Sequence, residues 1–292
     1  NGIEGLLKEK YVDLSDHIKD QMDIELLQRT PAAYLGSCRY KLPSKDSQAE
    51  IYEKIFQILE KLDISYFFYI GGNDSMDTIN KLTEYGKGVN SNIRFIGVPK
   101  TVDNDLEGTD HTPGYASAAK FIATVTSEVA LDSQVYDLES VTILEIMGRN
   151  TGWLVGASAL AGYKDYSGPD LIYLPERVFD FDKLIEDIKE VQKKKKSVII
   201  AVSEGIRTAD GEYVCEKIDS EKTSDDFGHL QLSGAGLYLA RYIGKKLGIK
   251  TRAVEFNTTQ RAASHIASKV DITEAYQVGA AAVKAAINKE TG

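Results

Sequence analysis

The segment Ile70-Gly71-Gly72-Asn73-Asp74-Ser75-Met76-Asp77-Thr78 joins an apolar run to a helical pattern. A strand that ends at paired glycines and continues as a helix is typical of a phosphate-binding turn. Glycine lets an anion approach the backbone, and a helix N-terminus offers N–H groups and a positive dipole end. Asp74 is unexpected there, because a carboxylate repels phosphate unless a cation lies between them. The segment therefore predicts a phosphate site whose ligand is selected by Asp74.

Composition indicates a globular protein without a nucleic-acid or membrane partner. The chain has 292 residues, of which 42% are hydrophobic and 27% charged, enough for one large domain or two smaller ones. A net charge of -9 argues against nucleic acid. The basic run Lys193–Lys196 follows a helical pattern, and we interpret it as decorating the negative end of a helix dipole rather than as a polyanion site.

Cysteine usage and the apolar runs favour a cytoplasmic location. Cys38 and Cys215 lie far apart without metal-ligand spacing, so neither a disulfide framework nor a zinc site is indicated. No apolar run reaches membrane-spanning length, and no signal peptide is evident.

The chain begins at Asn1 without a Met or a first strand and ends in a helical pattern without a final strand. We expect a fragment of a longer protein.

Apolar runs of strand length alternate with helical patterns. Strands are predicted at 64–70, 93–98, 141–146, 171–174, 198–202 and 251–256. Helices are predicted over 51–62, after a capping box at Ser47-Gln-Ala-Glu, and at 76–82, 118–131, 153–161, 181–192, 237–247 and 272–287. The polar stretch 208–228 is interpreted as a loop or hairpin. This alternation predicts an α/β fold with parallel sheets.

Four polar stretches are expected beyond strand ends, where ligands bind in open parallel sheets. They are Gly36–Tyr40 with Arg39, the turn Gly71–Ser75, the stretch Pro99–Leu106 with Lys100, Asp103 and Asp105, and Met147–Trp153 with Arg149. Singly they are weak signals, since such residues more often form turns, helix caps or surface ion pairs. Together they predict a mixed-charge pocket suited to phosphoryl transfer, with cations for phosphates and carboxylates for a proton and Mg²⁺.

Five motifs resemble those of the phosphofructokinases, over essentially the whole chain. They are Gly71-Gly-Asn-Asp-Ser, Pro99-Lys-Thr-Val-Asp-Asn-Asp-Leu, Met147-Gly-Arg-Asn-Thr-Gly, Ser203-Glu-Gly and Gln260-Arg261. The resemblance implies two Rossmann-like parallel-sheet domains with the active site in the cleft between them. By this mapping residues 1–112 bind the phosphoryl donor, 113–259 bind the sugar phosphate, and 260–292 return to the first domain.

The resemblance also implies roles on the sugar side. Asp103 maps to the catalytic base that takes a proton from the 1-hydroxyl of fructose 6-phosphate. The other sugar-side residues that the mapping implies are Thr101, Asp105, Met147, Gly148, Arg149, Glu204, Arg252 and Arg261. Arg252 resembles an arginine that reaches a neighbouring subunit's sugar site, which implies a homodimer or homotetramer. Simpler interpretations stay open: Glu204 capping a helix, Arg252 pairing with a surface carboxylate, and Met147 in the core.

The phosphoryl donor depends on Asp74 and Lys100. By resemblance the donor is bound by Arg39, Gly71, Gly72, Asn73, Asp74, Ser75 and Lys100. Phosphofructokinases that use ATP are similar except for a glycine at the position of Asp74, whereas those that use pyrophosphate have the aspartate and a lysine like Lys100. Like-charge repulsion by Asp74 and neutralisation by Lys100 favour pyrophosphate. Asp74 and Lys100 are therefore assigned to catalysis together with Asp103.

Three departures from the family pattern stand out. Asn73 replaces a usual aspartate associated with Mg²⁺, so the predicted metal residues are Asn73 and Asp105, and an amide oxygen is a poorer ligand than a carboxylate. Ser140 or a neighbour stands where many members have another intersubunit arginine, and the usual glycine-rich opening loop is absent.

Pyrophosphate-dependent phosphorylation of fructose 6-phosphate, a glycolytic reaction, is the predicted function. An ATP-dependent enzyme and a non-catalytic sugar-phosphate-binding subunit are the alternatives, and Asn73 favours the latter. A relationship to lipid or NAD kinases is opposed by the Met147-Gly-Arg and Gln260-Arg261 motifs.

Overall fold

The computed structural model describes residues 2–162, 168–217 and 232–292, in which helices and strands alternate. The α-helices are α1 (Gly2–Leu7), α2 (Gln21–Arg29), α3 (Ala49–Lys61), α4 (Asn73–Gly88), α5 (Tyr115–Ser133), α6 (Trp153–Ala157), α7 (Phe181–Gln192), α8 (Ala235–Leu247), α9 (Thr259–Ala262) and α10 (Lys269–Ile287). The strands are β1 (Tyr66–Gly71), β2 (Arg94–Pro99), β3 (Ser140–Ile146), β4 (Leu171–Tyr173), β5 (Ser197–Ser203) and β6 (Lys250–Glu255). The predicted α/β class is confirmed.

All strand pairs among the described residues are parallel and form two sheets. The first sheet pairs β1 with β2, and the second has the order β4-β5-β3-β6. In β3 and β5 the runs Val141–Ile146 and Ser197–Ser203 are buried throughout, which explains their continuous rather than alternating apolar pattern. Because the strands are parallel, the loops after β3, β5 and β6 meet at one edge of the second sheet.

The predicted capping box at the start of α3 is wrong. Gln48 is the N-cap residue and makes no side-chain capping hydrogen bond. The hydroxyl of Ser47 instead donates to the carbonyl oxygen of Ser44 over 2.8 Å, because residues 44–48 close a turn of their own. The predicted helix is otherwise confirmed, and its apolar face packs Tyr52, Ile55 and Leu59 into the core beside the first sheet.

Several predicted boundaries shift where turns compete with regular structure. The first strand begins at Tyr66 rather than residue 64, because the Ile64 N–H donates to the Leu59 carbonyl oxygen and closes the end of α3. The helix predicted over 153–161 is α-helical only to Ala157 and continues as a 3-10 helix over Ser158–Gly162. In the stretch predicted as a loop, residues 208–217 contain a 3-10 turn at Val214–Lys217, and 218–228 lie outside the described residues.

The basic run after α7 lies at a helix end, as predicted. Lys193 is the C-cap residue of α7. Lys193 pairs with Glu190 at 2.5 Å, Lys195 with Asp170 at 2.8 Å and Lys196 with Asp137 at 2.7 Å. These ion pairs support a helix-end role over a polyanion site. Within the described ranges, no helix combines the length and the apolarity needed to cross a membrane.

The last helix returns to the first sheet. Ala282 and Ala286 of α10 pack against Ile96 and Val98 of β2. Beyond the helix, the Gly292 N–H donates to the Phe95 carbonyl oxygen over 2.8 Å, and the Phe95 N–H donates to the Thr291 hydroxyl over 3.0 Å. Thr291 and Gly292 thereby satisfy the backbone N–H and carbonyl groups of Phe95 in β2.

The core of the second sheet predicts a large difference between two leucine substitutions. Leu144 of β3 is fully buried, whereas Leu160 is 64% exposed. We expect Leu144→Ala to lower the free energy of unfolding by about 2 to 5 kcal/mol through lost burial and a cavity. The matched control Leu160→Ala should change it by no more than about 0.5 kcal/mol in urea titrations. Equal losses would contradict the assigned core.

Candidate active site

The turn between β1 and α4 presents the first polar group. Gly72 is the N-cap of α4 and provides no capping side chain, so the first helical turn is open to an outside acceptor. A Cβ added at Gly71 would lie 1.9 Å from the Ser75 hydroxyl oxygen, which explains the need for glycine. Asn73 and Asp74 are exposed in the first turn. A negative side chain thus stands at the position predicted for a phosphate, where the helix dipole stabilises it.

The loop after β2 lies directly beside this turn. The Lys100 N–H donates to the Gly71 carbonyl oxygen over 2.9 Å and closes the last bridge of β1 with β2, between Gly71 and Pro99. A Cβ added at Gly72 would lie 3.6 Å from the Lys100 carbonyl oxygen. Desolvation, followed by the positive charge of Arg261, lowers the pKa of Lys100, while Asp103 opposes the shift. Lys100, one residue past the strand, therefore lies where burial and Arg261 disfavour its charged form and Asp103 favours it.

Hydrogen bonds fix the backbone of the loop that carries Asp103. The Asp103 N–H donates to the Thr101 hydroxyl over 3.2 Å, and the Thr151 hydroxyl donates to the Asp103 carbonyl oxygen over 3.0 Å. At the other end of the loop, the Thr112 N–H donates to the side-chain oxygen of Asn104 over 2.9 Å. Asn104 has a φ of +57°, a left-handed conformation that asparagine tolerates. The loop is thus held from both the first and the second sheet.

Asp103 is partly buried among three cationic side chains. Burial is the main cause that raises its pKa, and the charge of Asp105 adds to it. Lys100, Arg149 and Arg261 act in the opposite direction. A carboxylate whose pKa is raised by burial is a stronger base, and neighbouring cations favour its ionised form. The structure therefore brings four of the predicted charged residues together around one carboxylate.

The loop after β3 forms the other side of the site. Gly148 has a φ of +138°, and a Cβ there would lie 2.5 Å from the Thr151 carbonyl oxygen. The Met147 N–H donates to the side-chain oxygen of Gln260 over 3.3 Å, and the Gly148 N–H donates to the Glu204 carboxylate over 3.4 Å. Met147 also packs partly against the core, as its simpler interpretation predicted. Glu204 contacts this loop rather than capping a helix.

Two carboxyl groups at this edge have raised pKa values. Burial raises the pKa of Glu204 to about 7, with Glu145 and Asp103 adding to the shift and the Gly148 hydrogen bond opposing it. Burial likewise raises the pKa of Glu145 to about 7, with Glu255 adding to the shift. Glu145 accepts hydrogen bonds from the N–H groups of Gly234 and Gly236 over 3.0 and 2.8 Å, and it thereby caps α8. Both groups therefore titrate near neutral pH.

The sequence interpretation missed Glu145, Gln260 and Thr151 as parts of this edge. Glu145 is 4% exposed and Gln260 is 2% exposed, and both line a small pocket with Met147 and Glu204. Glu145 had a signal, since it is the one acidic residue in the apolar run 141–146. Gln260 was part of a quoted motif but received no role. Thr151 was likewise part of a quoted motif without a role, and its contribution is a single hydrogen bond across loops.

Arg252 does not join the cluster around Asp103, and the argument that predicted Arg39 at this edge fails. No described strand precedes Gly36, so the argument from a strand end was wrong for Arg39, which is exposed next to Cys38. Arg252 lies within β6 opposite Thr142 of β3, away from the edge where the strands end. Its guanidinium pairs with Asp132 at 3.6 Å, and the Arg252 side chain is 52% exposed. Pairing with a surface carboxylate was the simpler interpretation of Arg252.

The carboxylates near Asp103 fit a magnesium ion with few protein ligands. In the described part of the chain, no group of three or more His, Cys, Asp or Glu side chains could hold a metal ion alone. Asp103 and Asp105 share one loop, and the Asn73 amide nitrogen donates to the Asp105 carboxylate over 2.9 Å. Mg²⁺ typically binds one or two carboxylates, several waters and substrate phosphates. The donor set therefore suits Mg²⁺ that arrives with a phosphate compound.

A parallel α/β fold with cations and carboxylates at its strand ends defines a phosphoryl-transfer class of site. The phosphofructokinase family model matches residues 1–286, and the chain belongs to the phosphofructokinase family. The resemblance seen in the sequence is confirmed.

Two curated relatives and one solved structure illustrate the similarity. Over 290 residues the chain is 42% identical to the pyrophosphate--fructose 6-phosphate 1-phosphotransferase of Halomonas elongata, covering 99% of this chain and 68% of the relative. It is 34% identical to the sulfofructose kinase of Alkalicoccus urumqiensis, covering 100% of this chain and 73% of the relative. The crystal structure of the pyrophosphate-dependent phosphofructokinase of Marinobacter aquaeolei superimposes with a TM-score of 0.84 at 36% identity, covering 100% of this chain and 67% of that one.

Glu145 predicts a pH dependence of stability. Its pKa rises from 4.5 to about 7 on folding, so between these values the unfolded chain releases a proton that the folded chain retains. The free energy of unfolding should therefore fall as pH rises through this window. Relative to Glu145→Gln, the wild-type protein should lose roughly 1 to 3 kcal/mol between the two pKa values. Urea titrations at several pH values measure this difference.

The exposed Glu107 provides the control for this measurement. Glu107→Gln should follow the wild-type curve at every pH. Glu204 contributes with the same sign in all three proteins. Because Glu145 adds to the pKa shift of Glu204, the contribution of Glu204 is smaller in Glu145→Gln, and the measured difference includes this coupling. A constant difference between wild type and Glu145→Gln across the pH range would contradict the assigned shift.

Proposed function

We propose that the protein catalyses reversible, Mg²⁺-dependent transfer of a phosphoryl group from pyrophosphate to the 1-hydroxyl of fructose 6-phosphate. The products are fructose 1,6-bisphosphate and phosphate. The observation that carries the proposal is Asp103, a partly buried carboxylate on which the charges of Lys100, Arg149 and Arg261 act. The names of the similar proteins from Halomonas and Marinobacter support pyrophosphate as the donor.

Asp103 acts as the general base in this proposal. It takes the proton of the 1-hydroxyl as that oxygen attacks a phosphorus atom of pyrophosphate. The new O–P bond forms while the bond from that phosphorus to the bridging oxygen breaks, and phosphate leaves with the bridging oxygen. Lys100 neutralises negative charge on the bridging and transferring groups as this bond loosens. Burial that raises the pKa of Asp103 favours proton uptake, and the nearby cations offset the charge of the phosphates.

Asp74 selects the donor by charge and space. It is exposed in the first turn of α4, next to the Gly72 backbone that approaches Lys100. A nucleotide would place its α-phosphate and nucleoside at the position that this carboxylate fills. The remaining donor-site residues in the proposal are Arg39, Gly71, Gly72, Asn73, Ser75 and Lys100. Pyrophosphate, which has no further phosphate or nucleoside, avoids the repulsion.

The sugar phosphate is proposed to lie against the loops after β3, β5 and β6. Arg261 would grip its 6-phosphate and Glu204 would accept hydrogen bonds from its hydroxyls. The other contacts in the proposal are Thr101, Asp105, Met147, Gly148 and Arg149. The hydrogen bond between Gly148 and Glu204 and that between Met147 and Gln260 support a preformed pocket at this edge.

Asp105 and Asn73 are the residues proposed to hold Mg²⁺. The Asn73 amide nitrogen faces Asp105, so its amide oxygen is the atom left to face a metal ion. When bound with pyrophosphate, Mg²⁺ would neutralise phosphate charge. Because Asn73 is neutral, no second carboxylate at this position repels Asp105. The proton acceptor in the proposal is Asp103, which lies on the same loop as Asp105.

We propose the domain division 1–112, 113–259 and 260–292, with the active site in the cleft between donor and sugar domains. The two separate sheets and the packing of α10 on β2 support it. Arg252 is proposed to reach the sugar site of a second subunit in a homodimer or homotetramer. Its exposed ion pair with Asp132 is weak enough to exchange. The free thiols Cys38 and Cys215 support a cytoplasmic location.

Removal of the proposed base should lower turnover strongly without unfolding the protein. We expect Asp103→Asn to lower kcat by about a hundredfold or more, since general-base catalysis contributes on that scale. Asp110, exposed on the same loop, provides the matched control. Asp110→Asn should retain wild-type kcat in a coupled assay with pyrophosphate and fructose 6-phosphate. Wild-type kcat in Asp103→Asn would exclude Asp103 as the base.

Donor selection predicts a change of preference in a double variant. Asp74→Gly with Lys100→Gly should lower kcat/KM for pyrophosphate at least about tenfold, because the cation at the loosening bond is lost. The same change removes the carboxylate that opposes ATP, so the ratio of ATP to pyrophosphate use should rise. Initial rates with each donor measure this ratio. An unchanged ratio would show that these two residues do not select the donor.

The acceptor is tested by offering sulfofructose beside fructose 6-phosphate, because one similar protein bears the name sulfofructose kinase. A higher kcat/KM for fructose 6-phosphate than for sulfofructose supports the proposal. A higher kcat/KM for sulfofructose would show that sulfofructose is the acceptor instead. Calorimetric binding of fructose 6-phosphate without turnover of any donor would favour the non-catalytic alternative.

A further inference from the structure

The start of α10 holds the start of α5 through one buried carboxylate. Asp271 is 6% exposed, and it lies in the first turn of α10. One of its oxygens accepts the Gly114 N–H over 3.1 Å, and the other accepts the Ser117 N–H over 2.5 Å. Gly114 is the N-cap residue of α5 and has no side chain that could do this. A residue more than 150 positions away therefore supplies the cap and places negative charge at a helix N-terminus.

Gly114 is also the closing point of the loop that carries Asp103. Thr101 and Gly114 form a parallel bridge, and the Thr101 N–H donates to the Pro113 carbonyl oxygen over 3.1 Å. The Thr112 hydroxyl donates to the Thr101 carbonyl oxygen over 2.7 Å. A Cβ at Gly114 would lie 3.4 Å from the carbonyl carbon of Thr101, so the two ends are in close contact. The position of Gly114 therefore determines where the loop 101–114 closes.

Two further contacts join the same face of α10 to this region. The Ser268 N–H donates to the Ser117 hydroxyl over 2.9 Å, and His111 contacts Glu274 at 2.5 Å. Ser268, Asp271 and Glu274 follow at intervals of three, which places them on one side of the helix. The helix thus contacts the loop and the beginning of α5 through successive turns.

The other half of α10 contacts the strand that leads to Lys100. Ala282 and Ala286 pack on Ile96 and Val98, and Val98 lies two residues before Lys100. One rigid helix therefore bears on both ends of the chain segment from Lys100 to Gly114. At one end it packs on the strand before Lys100, the proposed donor-side cation. At the other end it holds Gly114, where the loop that carries Asp103 closes.

We propose that Asp271 is a positioning residue for catalysis, which sets the place of Asp103 relative to Lys100 by anchoring the loop 101–114 to α10. The inference rests on the proposed function and extends it to a residue that touches neither substrate. A small displacement of a reacting group reduces rate strongly while substrate affinity changes little. Loss of the anchor should therefore lower kcat more than it raises KM.

Asp271→Asn is the variant that tests the proposal, since it keeps the side-chain shape but removes the charge and one of the two acceptors. Asp180→Asn is the matched control, because Asp180 caps α7 by accepting the N–H groups of Asp182 and Lys183 over 2.8 and 3.0 Å. Steady-state kinetics should be measured well below both melting temperatures. We expect Asp271→Asn to lower kcat about ten- to a hundredfold, with each KM within about threefold of wild type. Asp180→Asn should keep wild-type kcat.

Hydrogen–deuterium exchange gives a readout that does not need activity. In Asp271→Asn the amides of residues 101–104 and 114–117 should exchange faster, and those of β5 should not change. Wild-type kcat together with unchanged exchange in 101–104 would overturn the proposal, and so would equal kcat losses in Asp271→Asn and Asp180→Asn. Absence of phosphotransferase activity in the wild-type protein would refute the proposed function, while the exchange pattern would still decide whether Asp271 anchors the loop.

Discussion

The backbone hydrogen bond from Lys100 to Gly71 is the contact on which the proposed site depends. It closes the last bridge of the parallel pairing of β1 and β2, between Gly71 and Pro99, so two loops that follow different strands start side by side. The turn with Asp74 belongs to one loop, and Asp103, the proposed base, belongs to the other. In a parallel sheet every strand ends at the same edge, so the loops that follow neighbouring strands lie side by side. The sugar-side loops after β3 and β5 are brought together by the same principle in the second sheet.

Charge balance is the second constraint on this site. Asp103 is partly buried, and burial alone would favour its neutral form. Three cations oppose the effect of burial, and the net result is a raised pKa for this carboxylate. Lys100 experiences the complementary environment, in which desolvation and Arg261 lower its pKa and Asp103 raises it. The pKa values of Asp103 and Lys100 therefore depend on each other and on the neighbouring arginines.

The sequence predicted the fold and the proximity of several site residues because both follow from local patterns. Apolar runs of strand length such as 141–146 suit a strand that is buried on both faces of a parallel sheet, and loops after such strands share an edge. Lys100, Asp103 and Arg149 were placed together on this basis. For Arg39 the argument from a strand end failed, because no described strand precedes Gly36. The capping box at Ser47 failed because a local turn used the same hydroxyl.

Other features could not be predicted, because they depend on contacts between residues distant in the chain. Asp271 and Gly114 are separated by 157 positions, and nothing in either neighbourhood marks the pair. Glu145 was visible as a lone acid in an apolar run, but its partners at Gly234 and Gly236 were not. The interaction of Asn73 with Asp105 likewise depends on how two loops meet. Asn73 now has a physical role, since its amide donates to a carboxylate that a second aspartate would repel.

Phosphorus NMR of the wild-type protein with pyrophosphate, fructose 6-phosphate and Mg²⁺ tests the central claim most directly. The account predicts that the pyrophosphate signal decays while orthophosphate and a new sugar phosphate monoester appear in equal amounts. ATP in place of pyrophosphate should give no such product on the same timescale. Consumption of ATP with pyrophosphate left intact would contradict the account.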